Sequence, residues 1–247
     1  MQRYFIEVSY KGTRYSGFQV QNNATTIQSK VQEAFQIFYK QPFQFTCSSR
    51  TDAGVHALQN YFHVDTEVEL KNQHVYNINA LLPSDIVVKN IIVVNNLLHA
   101  RFSADFREYK YYITASKNPF NVETAWYYPY QLDIDLLNQA ASILMDYNNF
   151  QSFSKKNTQV KTFLCQLIHS EWIFENENLI YTVRGNRFLR GMVRALVGTM
   201  LLVGRKSISI SQFKQIIEEQ NCQKANFSTP PHGLFLVKVN FSSLHDC

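Results

Sequence analysis

The chain has 247 residues, of which 45% are hydrophobic and 17% are charged. This length and composition allow a sizeable hydrophobic core and exclude an intrinsically disordered or highly acidic chain. The net charge of +5 is too small to identify a nucleic-acid partner by itself. Its distribution is uneven, because residues 178–217 contain seven basic side chains and no acidic one. That basic block is either a polyanion-binding surface or an ordinary solvated face.

The four cysteines lie far apart in the sequence, and no Cys-x-x-Cys pair is present. This pattern argues against a zinc ribbon and a disulfide scaffold, and it predicts reduced thiols. The chain begins without an apolar signal-peptide core, and its longest apolar run, 188–204, is interrupted by Arg190 and Arg194. We therefore expect a soluble, cytoplasmic protein without a membrane span.

Hydrophobic periodicity predicts six elements in residues 1–105. The first is a strand with alternating apolar residues, and the second is a helix opened by a capping box, Thr25-x-x-Gln28. The predicted order is β-α-β-β-α-β, over residues 4–10, 27–38, 43–48, 60–66, 75–82 and 86–94.

Residues 106–247 repeat this order. A strand containing Tyr109 comes first, and Asp133 is placed to cap the helix that follows. A hairpin, two helices and a closing strand complete the pattern, at 162–174, 179–184, 188–204, 211–220 and 235–241. The repeat predicts an α+β fold with two ferredoxin-like halves, 1–105 and 106–247. They would share one large mixed, mainly antiparallel sheet, with helices packed on it.

The most unusual segment is Ser48-Ser49-Arg50-Thr51-Asp52-Ala53-Gly54-Val55-His56-Ala57, which follows a predicted strand. A carboxylate two residues from an arginine stays ionised, and it can be a nucleophile, a general base or an ion-pair partner. From spacing alone, a loop salt bridge with an Asx turn is the better explanation. Aspartic-protease chemistry is excluded because it needs two paired aspartates, and no second Asp-x-Gly is present.

The heptapeptide Arg50–His56 resembles the active-site motif of tRNA pseudouridine synthases of the TruA family. Further blocks resemble that family in the same order, which makes the resemblance far more specific than one motif. They lie at 10–19, 79–86, 99–104, 107–111, 188–198 and 230–236. The resemblance departs at Phe18, where tryptophan is frequent in the family, and at Ser48-Ser49, where glycine or alanine is common.

The resemblance implies an isomerase that converts uridine to pseudouridine in the anticodon stem-loop of tRNA, at tRNA positions 38, 39 and 40. The base is detached from the sugar, rotated and rejoined through C5. Asp52 matches the catalytic aspartate, whose carboxylate attacks the nucleoside. The resemblance implies neither a metal nor another cofactor.

The resemblance also implies roles for five other residues. Tyr109 would stack on the target base and relay a proton at C5, although spacing alone favours a core tyrosine there. Arg194 would pair with the catalytic carboxylate, and Leu234 would line an apolar pocket. Arg50 would contact RNA or help to flip the base, and His56 would support the loop. These groups are expected to meet in a basic catalytic cleft.

The predicted helix at 188–204 suggests an RNA-binding face. Arg187, Arg190 and Arg194 are spaced i, i+3 and i+7, which predicts one basic face of that helix. Lys155, Lys156 and Lys161 form a second, weaker cluster. The resemblance implies a homodimer that binds tRNA, with no role for DNA or a membrane.

Two other functions compete with the isomerase. The chain could be a non-catalytic RNA-binding module of the same fold, in which Asp52 only braces a loop. The presence of Asp52, Tyr109 and Arg194 together favours the enzyme. A carboxylate glycosidase would need a second acid placed with Asp52, and no such partner is evident.

Overall fold

The protein is described here from a computed structural model, and the structure describes residues 1–156 and 160–244. This part of the chain contains nine strands and five α-helices. The strands are β1 (Gln2–Tyr10), β2 (Thr46–Cys47), β3 (His56–Thr66), β4 (Ile86–Val94), β5 (Phe106–Thr114), β6 (Trp126–Tyr127), β7 (Leu167–Glu175), β8 (Asn178–Gly185) and β9 (Leu234–Asn240). The helices are α1 (Ile27–Tyr39), α2 (Val75–Leu81), α3 (Ile134–Ile143), α4 (Met192–Gly204) and α5 (Ile210–Glu218).

The chain divides into two compact units. The first unit consists of Met1–Asp105 and the chain from Phe235 onward, and the second consists of Phe106–Leu234. The α+β class with mixed, mainly antiparallel strand pairing is confirmed. The division into domains 1–105 and 106–247 stays a prediction.

The first unit is built around β1, which pairs antiparallel with β3 on one side and with β4 on the other. Strand β2 pairs antiparallel with β3, and β9 pairs with the start of β3 in parallel. Aromatic rings fill the core, with Phe18 stacked on Phe62 at 4.7 Å and Phe35 edge-on to Phe45 at 5.1 Å. Such ring pairs stabilise a core beyond the area that they bury.

The capping box of α1 lies one residue later than predicted. Thr26, in extended conformation, is the N-cap, and its hydroxyl accepts from the backbone N–H of Ser29 at 3.2 Å. The hydroxyl of Ser29 accepts in return from the Thr26 N–H at 3.1 Å. The predicted partner Gln28 is buried and donates instead to the carbonyl of Phe45. Thr25-x-x-Gln28 is therefore wrong as the box, although the helix itself is confirmed.

Two strand boundaries in the first unit also differ from the sequence prediction. The strand expected at 43–48 is only Thr46–Cys47, because Phe43 and Phe45 are buried among aromatic rings before the pairing begins. Strand β3 starts at His56 rather than at Asn60. The loop that contains Asp52 is thus a short connection between two paired strands.

In the second unit, β8 pairs antiparallel with both β5 and β7, and β6 pairs in parallel with β5. The β7–β8 hairpin turns through Asn176 and Glu177, which both have positive φ, as in a tight two-residue turn. Asp133 caps α3 by accepting from the N–H of Leu136 at 3.1 Å, so this prediction is confirmed. Helix α5 begins with a capping box formed by Ser209 and Gln212.

Helix α4 begins at Met192, four residues later than the sequence predicts. Gly191 precedes it with φ of 74°, a left-handed conformation that a continuing right-handed helix cannot contain. The apolar run is nevertheless buried, since nearly every side chain of α4 is in the core. No helix in the described part of the chain combines the length and apolarity that a bilayer crossing requires.

Three cysteines, Cys47, Cys165 and Cys222, are free thiols in the structure, as the sequence predicts. The fourth, Cys247, lies outside the described residues.

Candidate active site

Asp52 lies on a tight turn in the loop between β2 and β3. The N–H of Val55 donates to the Asp52 carbonyl at 3.1 Å, and Gly54 has φ of 78°. The left-handed conformation at Gly54 costs almost nothing for glycine, whereas a Cβ would strain it. The turn leaves the Asp52 side chain half-buried and the Arg50 side chain exposed.

Neighbouring segments of the first unit fix this loop. Thr51 is buried, its carbonyl accepts from the N–H of Phe18 at 3.1 Å, and its hydroxyl is 2.8 Å from that of Tyr10. The side-chain amide of Asn60 donates to the carbonyl of Ser49 at 2.9 Å. The residues on both sides of Asp52 are therefore held by hydrogen bonds, which restricts where its carboxylate can point.

His56 supports the end of the loop. It is 1% exposed, and its Nδ1 accepts from the N–H of Gly12 at 3.0 Å. An accepting Nδ1 carries no proton, so this geometry fits a neutral imidazole protonated on Nε2. The ring also packs against Phe235, with centroids 4.5 Å apart. These contacts suit the supporting role that the sequence assigns to His56.

Gly12 provides a close backbone approach in the same loop. A Cβ at this position would collide with the carbonyl oxygen of Val55. The bond from Gly12 to His56 therefore exists only because residue 12 has no side chain. Sequence reasoning missed this function, although the Tyr10–Gln19 block that contains Gly12 gave a signal.

Arg50 contacts the residue that ends β2. Burial raises the pKa of the Cys47 thiol, and a hydrogen bond from the Arg50 side chain opposes that increase. The raised pKa keeps the thiol protonated and unreactive at neutral pH.

Tyr109 lies on β5 in the second unit, opposite Val183 of β8. Its side chain is largely buried, and its ring meets the edge of Phe188 at 5.0 Å and 77°. The adjacent Glu108 forms an ion pair with Arg184. The tyrosine ring is thus fixed by an aromatic neighbour on a well-paired strand.

Arg194 is the third residue of α4, and its Nε donates to the carbonyl of Thr229 at 2.7 Å. The segment after Thr229 is held by the Tyr111 hydroxyl, which donates to the Pro230 carbonyl at 2.8 Å. Burial raises the pKa of Tyr111, and the positive charge of Arg194 opposes that increase. Sequence reasoning missed the part played by Tyr111 and Thr229.

Leu234 follows directly on that segment and is buried. Its neighbour Gly233 packs so closely on Tyr111 that a Cβ would come within 2.8 Å of the ring. The second unit therefore brings Arg194 and the segment leading to Leu234 together around Tyr111. Tyr109 lies two residues from Tyr111 and so on the same face of β5.

The predicted basic helix face is wrong. Arg187 and Arg190 precede the left-handed Gly191, so only Arg194 of the three lies on α4. The carbonyl of Arg190 accepts from the N–H of Lys155 at 3.0 Å, which joins members of the two predicted basic clusters. Burial raises the pKa of the Cys165 thiol to about 11, and the charge of nearby Arg187 opposes this.

Residues 178–217 contain no acid, but acids from elsewhere in the chain pair with two of their basic side chains. Arg184 pairs with Glu108, and Lys206 pairs with Asp133 at 3.1 Å. Both acids come from outside the block. The charge available to a polyanion is therefore smaller than the sequence count suggests.

The structure places Arg50, Asp52 and His56 in or at the end of one loop of the first unit, and it bonds Arg194 to the segment that leads to Leu234 in the second. The pairing of Asp52 with Arg194, and their meeting with Tyr109 in one cleft, stay predictions. Within the described ranges, no cluster of three or more His, Cys, Asp or Glu side chains could bind a metal ion.

Comparison with known proteins shows the family of the chain. The model of a family described as tRNA pseudouridine synthase matches residues 6–103 and 140–242. A tRNA pseudouridine synthase A of Parabacteroides distasonis is 43% identical over 98% of this chain and 96% of its own length. The corresponding protein of Bacteroides fragilis is 44% identical over 98% and 97%. One from Staphylococcus aureus is 34% identical over 96% and 90%. The chain therefore belongs to the tRNA pseudouridine synthase family, which is a family of isomerases.

Proposed function

We propose that the protein isomerises uridine to pseudouridine in the anticodon stem-loop of tRNA, at positions 38, 39 and 40, with Asp52 as the nucleophile. The observation that carries this proposal is the Asp52 turn. Its carboxylate is half-buried, while the backbone on both sides is fixed by Thr51, Gly54 and Val55. Membership of the synthase family supports the substrate class.

The reaction breaks the N1–C1′ bond of uridine, forms a C5–C1′ bond and moves one proton from C5 to N1. Atoms and electrons therefore balance within the nucleoside. A carboxylate nucleophile can form a transient bond to the nucleoside and leave again, which divides a difficult step into two easier ones. The fixed turn supports this role, because catalysis depends on holding the attacking oxygen in place.

Three further residues complete the proposed site. Tyr109 stacks on the base and takes the proton from C5, and Phe188 holds its ring in place. Arg194 pairs with the Asp52 carboxylate and orients it. The bond from Arg194 to Thr229 supports this role, because it restricts where the guanidinium group can lie.

RNA binding must offset the cost of moving the target base out of its stack, which is a few kcal/mol. Arg50 is exposed beside Asp52 and is proposed to occupy the space that the flipped base leaves. Arg187 and Arg190, with Lys155 beside the latter, are proposed to contact phosphates. We also propose that the protein acts as a homodimer in the cytoplasm.

The deciding experiment incubates an unmodified tRNA transcript with the full-length protein and maps pseudouridine by carbodiimide adducts. Asp52→Asn removes the nucleophile with little change in shape, and it should lower turnover at least about 10³-fold. Asp135→Asn, at an exposed position of α3, is the matched control and should leave turnover unchanged. Turnover retained by Asp52→Asn would contradict the nucleophile assignment.

Binding and site selection need separate measurements. Wild-type protein that binds tRNA without forming pseudouridine would favour the non-catalytic RNA-binding module. Transcripts that retain a single uridine at 38, 39 or 40 test the target positions individually. Pseudouridine formed only elsewhere would overturn the target assignment and leave the isomerase intact.

A further inference from the structure

A short segment after β4 exposes a large aromatic ring next to an arginine. Phe102 is 75% exposed, and the Arg101 side chain is also exposed. The Arg101 guanidinium lies 5.5 Å from the centroid of the Phe102 ring, within the range of a cation–π contact. Most other phenylalanines of the first unit are buried in its core. An exposed Phe–Arg stack is therefore unusual here and calls for a physical reason.

The stack is held rigidly by His99. The backbone N–H groups of Arg101 and Phe102 donate to His99 Nδ1 at 3.0 and 3.4 Å. The His99 N–H donates to the hydroxyl of Ser103, and the Ser103 N–H donates back to the His99 carbonyl. The His99 ring lies against Phe102, with centroids 4.4 Å apart. The exposed ring is therefore preorganised, which lowers the entropy cost of binding.

The segment is anchored to β3 under the stack. Ala100 is fully buried, and its N–H donates to Nδ1 of His63 at 3.2 Å. The His63 and His99 rings pack edge to face at 4.5 Å. His63 in turn pairs with Thr46 of β2, the strand that leads into the Asp52 loop. The stack and the Asp52 loop thus rest on the same part of β3.

Arg50 and Arg101 also act electrostatically on one common group. The positive charges of Arg50 and Arg101 both act on the Cys47 thiol and oppose the rise in its pKa that burial causes. Both positive charges therefore act at the residue that ends β2, the strand that leads into the Asp52 loop. Residues 97–104 contain no acid.

These groups match one kind of ligand. An exposed, rigid aromatic face stacks on an unpaired base, with a typical contribution of about 1–3 kcal/mol. Guanidinium groups beside it attract phosphate and can stack on a base themselves. Aromatic and arginine side chains also occur at protein–protein interfaces, but a segment with positive charge and no acid suits a polyanion. Charge complementarity therefore favours RNA over protein.

We propose that Arg101 and Phe102 form a stacking subsite for an unpaired nucleotide of the tRNA substrate, adjacent to Arg50 and separate from the Asp52 turn. The inference rests on the proposed function for the identity of the RNA. It assigns to the segment after β4 a role in holding the anticodon loop while the target base is out of its stack.

The test measures the dissociation constant of unmodified tRNA with full-length variants. Phe102→Leu removes the aromatic face and should weaken binding about 5- to 100-fold. Phe102→Trp keeps a stacking face and should bind like the wild type. Phe120→Leu is the matched control, since Phe120 is 96% exposed in the second unit, and should change nothing. Equal affinities of Phe102→Leu and Phe120→Leu would overturn the proposal.

The charge of the subsite is tested by salt dependence. Arg101→Gln should reduce the slope of log affinity against log salt by about 0.7–0.9, the value of one phosphate contact. Lys40→Gln removes one exposed charge elsewhere in the first unit and should leave the slope unchanged. An unchanged slope for Arg101→Gln would contradict the phosphate contact and with it the subsite.

Two further outcomes separate this inference from its alternatives. A Phe102→Leu protein that changes mass in analytical ultracentrifugation but keeps its tRNA affinity would make the occupant a second copy of the chain and overturn the proposal. A second outcome combines two results: Phe102→Leu binds tRNA more weakly, and the wild type binds tRNA but forms no pseudouridine. This outcome would support the subsite and contradict the proposed activity.

Discussion

The loop that carries Asp52 and the region around Arg194 are fixed in opposite ways. Backbone contacts fix the loop, at Thr51 and at the close approach of Gly12 to Val55. Arg194 is fixed by its own side chain, which reaches from the first turn of α4 to the Thr229 carbonyl. The difference teaches that the two regions should fail differently. The loop should be sensitive to added atoms, and Arg194 should be sensitive to changes in side-chain chemistry.

The largest expected effect is a loss of turnover when the side-chain chemistry of Arg194 is changed. Arg194→Lys keeps the charge but removes the Nε donor to Thr229 and the planar fork that suits a carboxylate. We expect turnover to fall about 10²–10³-fold, as when one preorganised donor is lost, with little change in thermal stability. Single-turnover kinetics on a tRNA transcript measure the effect.

Arg205→Lys is the control for Arg194→Lys. Arg205 follows the end of α4, is exposed, and lies over the Tyr130 ring at 4.1 Å. We expect this variant to turn over like the wild type. A fully active Arg194→Lys protein would mean that only the charge of Arg194 matters.

The backbone half of the comparison is tested by Gly12→Ala. The added methyl group meets the backbone oxygen of Val55, which cannot move without displacing the Asp52 turn. Overpacking of this kind costs about 1–3 kcal/mol, and we expect the upper end because the obstacle is backbone. Urea unfolding measures the loss, and turnover of the folded protein should fall as well. Unfolding at the wild-type midpoint, with full activity, would show that the loop is not fixed by this approach.

The same contrast explains how much of the site could be predicted from the sequence. Asp52 is recognisable because Arg50, Asp52 and His56 belong to seven consecutive residues, and a motif of consecutive residues can be read directly from the sequence. The roles of Tyr111 and Thr229 could not be predicted, because each depends on a contact between segments that are distant in the sequence. The bond from Tyr111 to Pro230, for example, joins residues 119 positions apart.

The fold shows the same limit at its helix ends. Strand β4 and the Asp133 cap follow the sequence prediction because an almost continuous β-branched run and capping chemistry determine them locally. The start of α4 does not, because apolar spacing continues through Gly191 and hydrophobicity carries no information about the sign of φ. For α1, adjacent threonines are both suitable caps, and the spacing of Ile27 and Val31 in the core selects Thr26.

A third expected effect is a dependence of stability on pH. It arises at His63 of β3, which pairs with β2, the strand that leads into the Asp52 loop. Burial, aided by His99 and Arg3, lowers the pKa of His63 to about 4, from 6.5 in an unfolded chain. The unfolded state therefore binds more protons between these values, so stability is lost as pH falls below 6.5. At pH 5 the loss is about 2 kcal/mol by linkage. His63→Asn keeps an acceptor for the Ala100 N–H but cannot titrate.

We expect the wild type to lose more thermal stability than His63→Asn between pH 7 and pH 5. Calorimetric melting of both proteins at the two pH values gives the difference directly, and the pH 7 values correct for any change in packing. If both proteins lost the same thermal stability between pH 7 and pH 5, His63 would not contribute to the acid sensitivity. The contacts of His63 with β2 and Ala100 would then stabilise the protein through packing alone.

The smallest expected effect is the loss of stability in Gly191→Ala. Its size relative to the loss in Gly12→Ala separates the cost of a strained φ from the cost of a backbone collision. Alanine at position 191 must adopt φ of 74°, at a cost of about 1–2 kcal/mol, but its Cβ meets only the flexible side chain of Lys155. Gly191→Ala should therefore destabilise the protein less than Gly12→Ala in urea. Gly191→Asn should recover part of the loss, because asparagine tolerates the left-handed region. Gly12 does not have a positive φ, so only the collision with Val55 can destabilise Gly12→Ala. If Gly191→Ala were as destabilising as Gly12→Ala, the Val55 oxygen would have to yield to the added methyl group at little cost, and the collision would no longer explain why position 12 requires glycine.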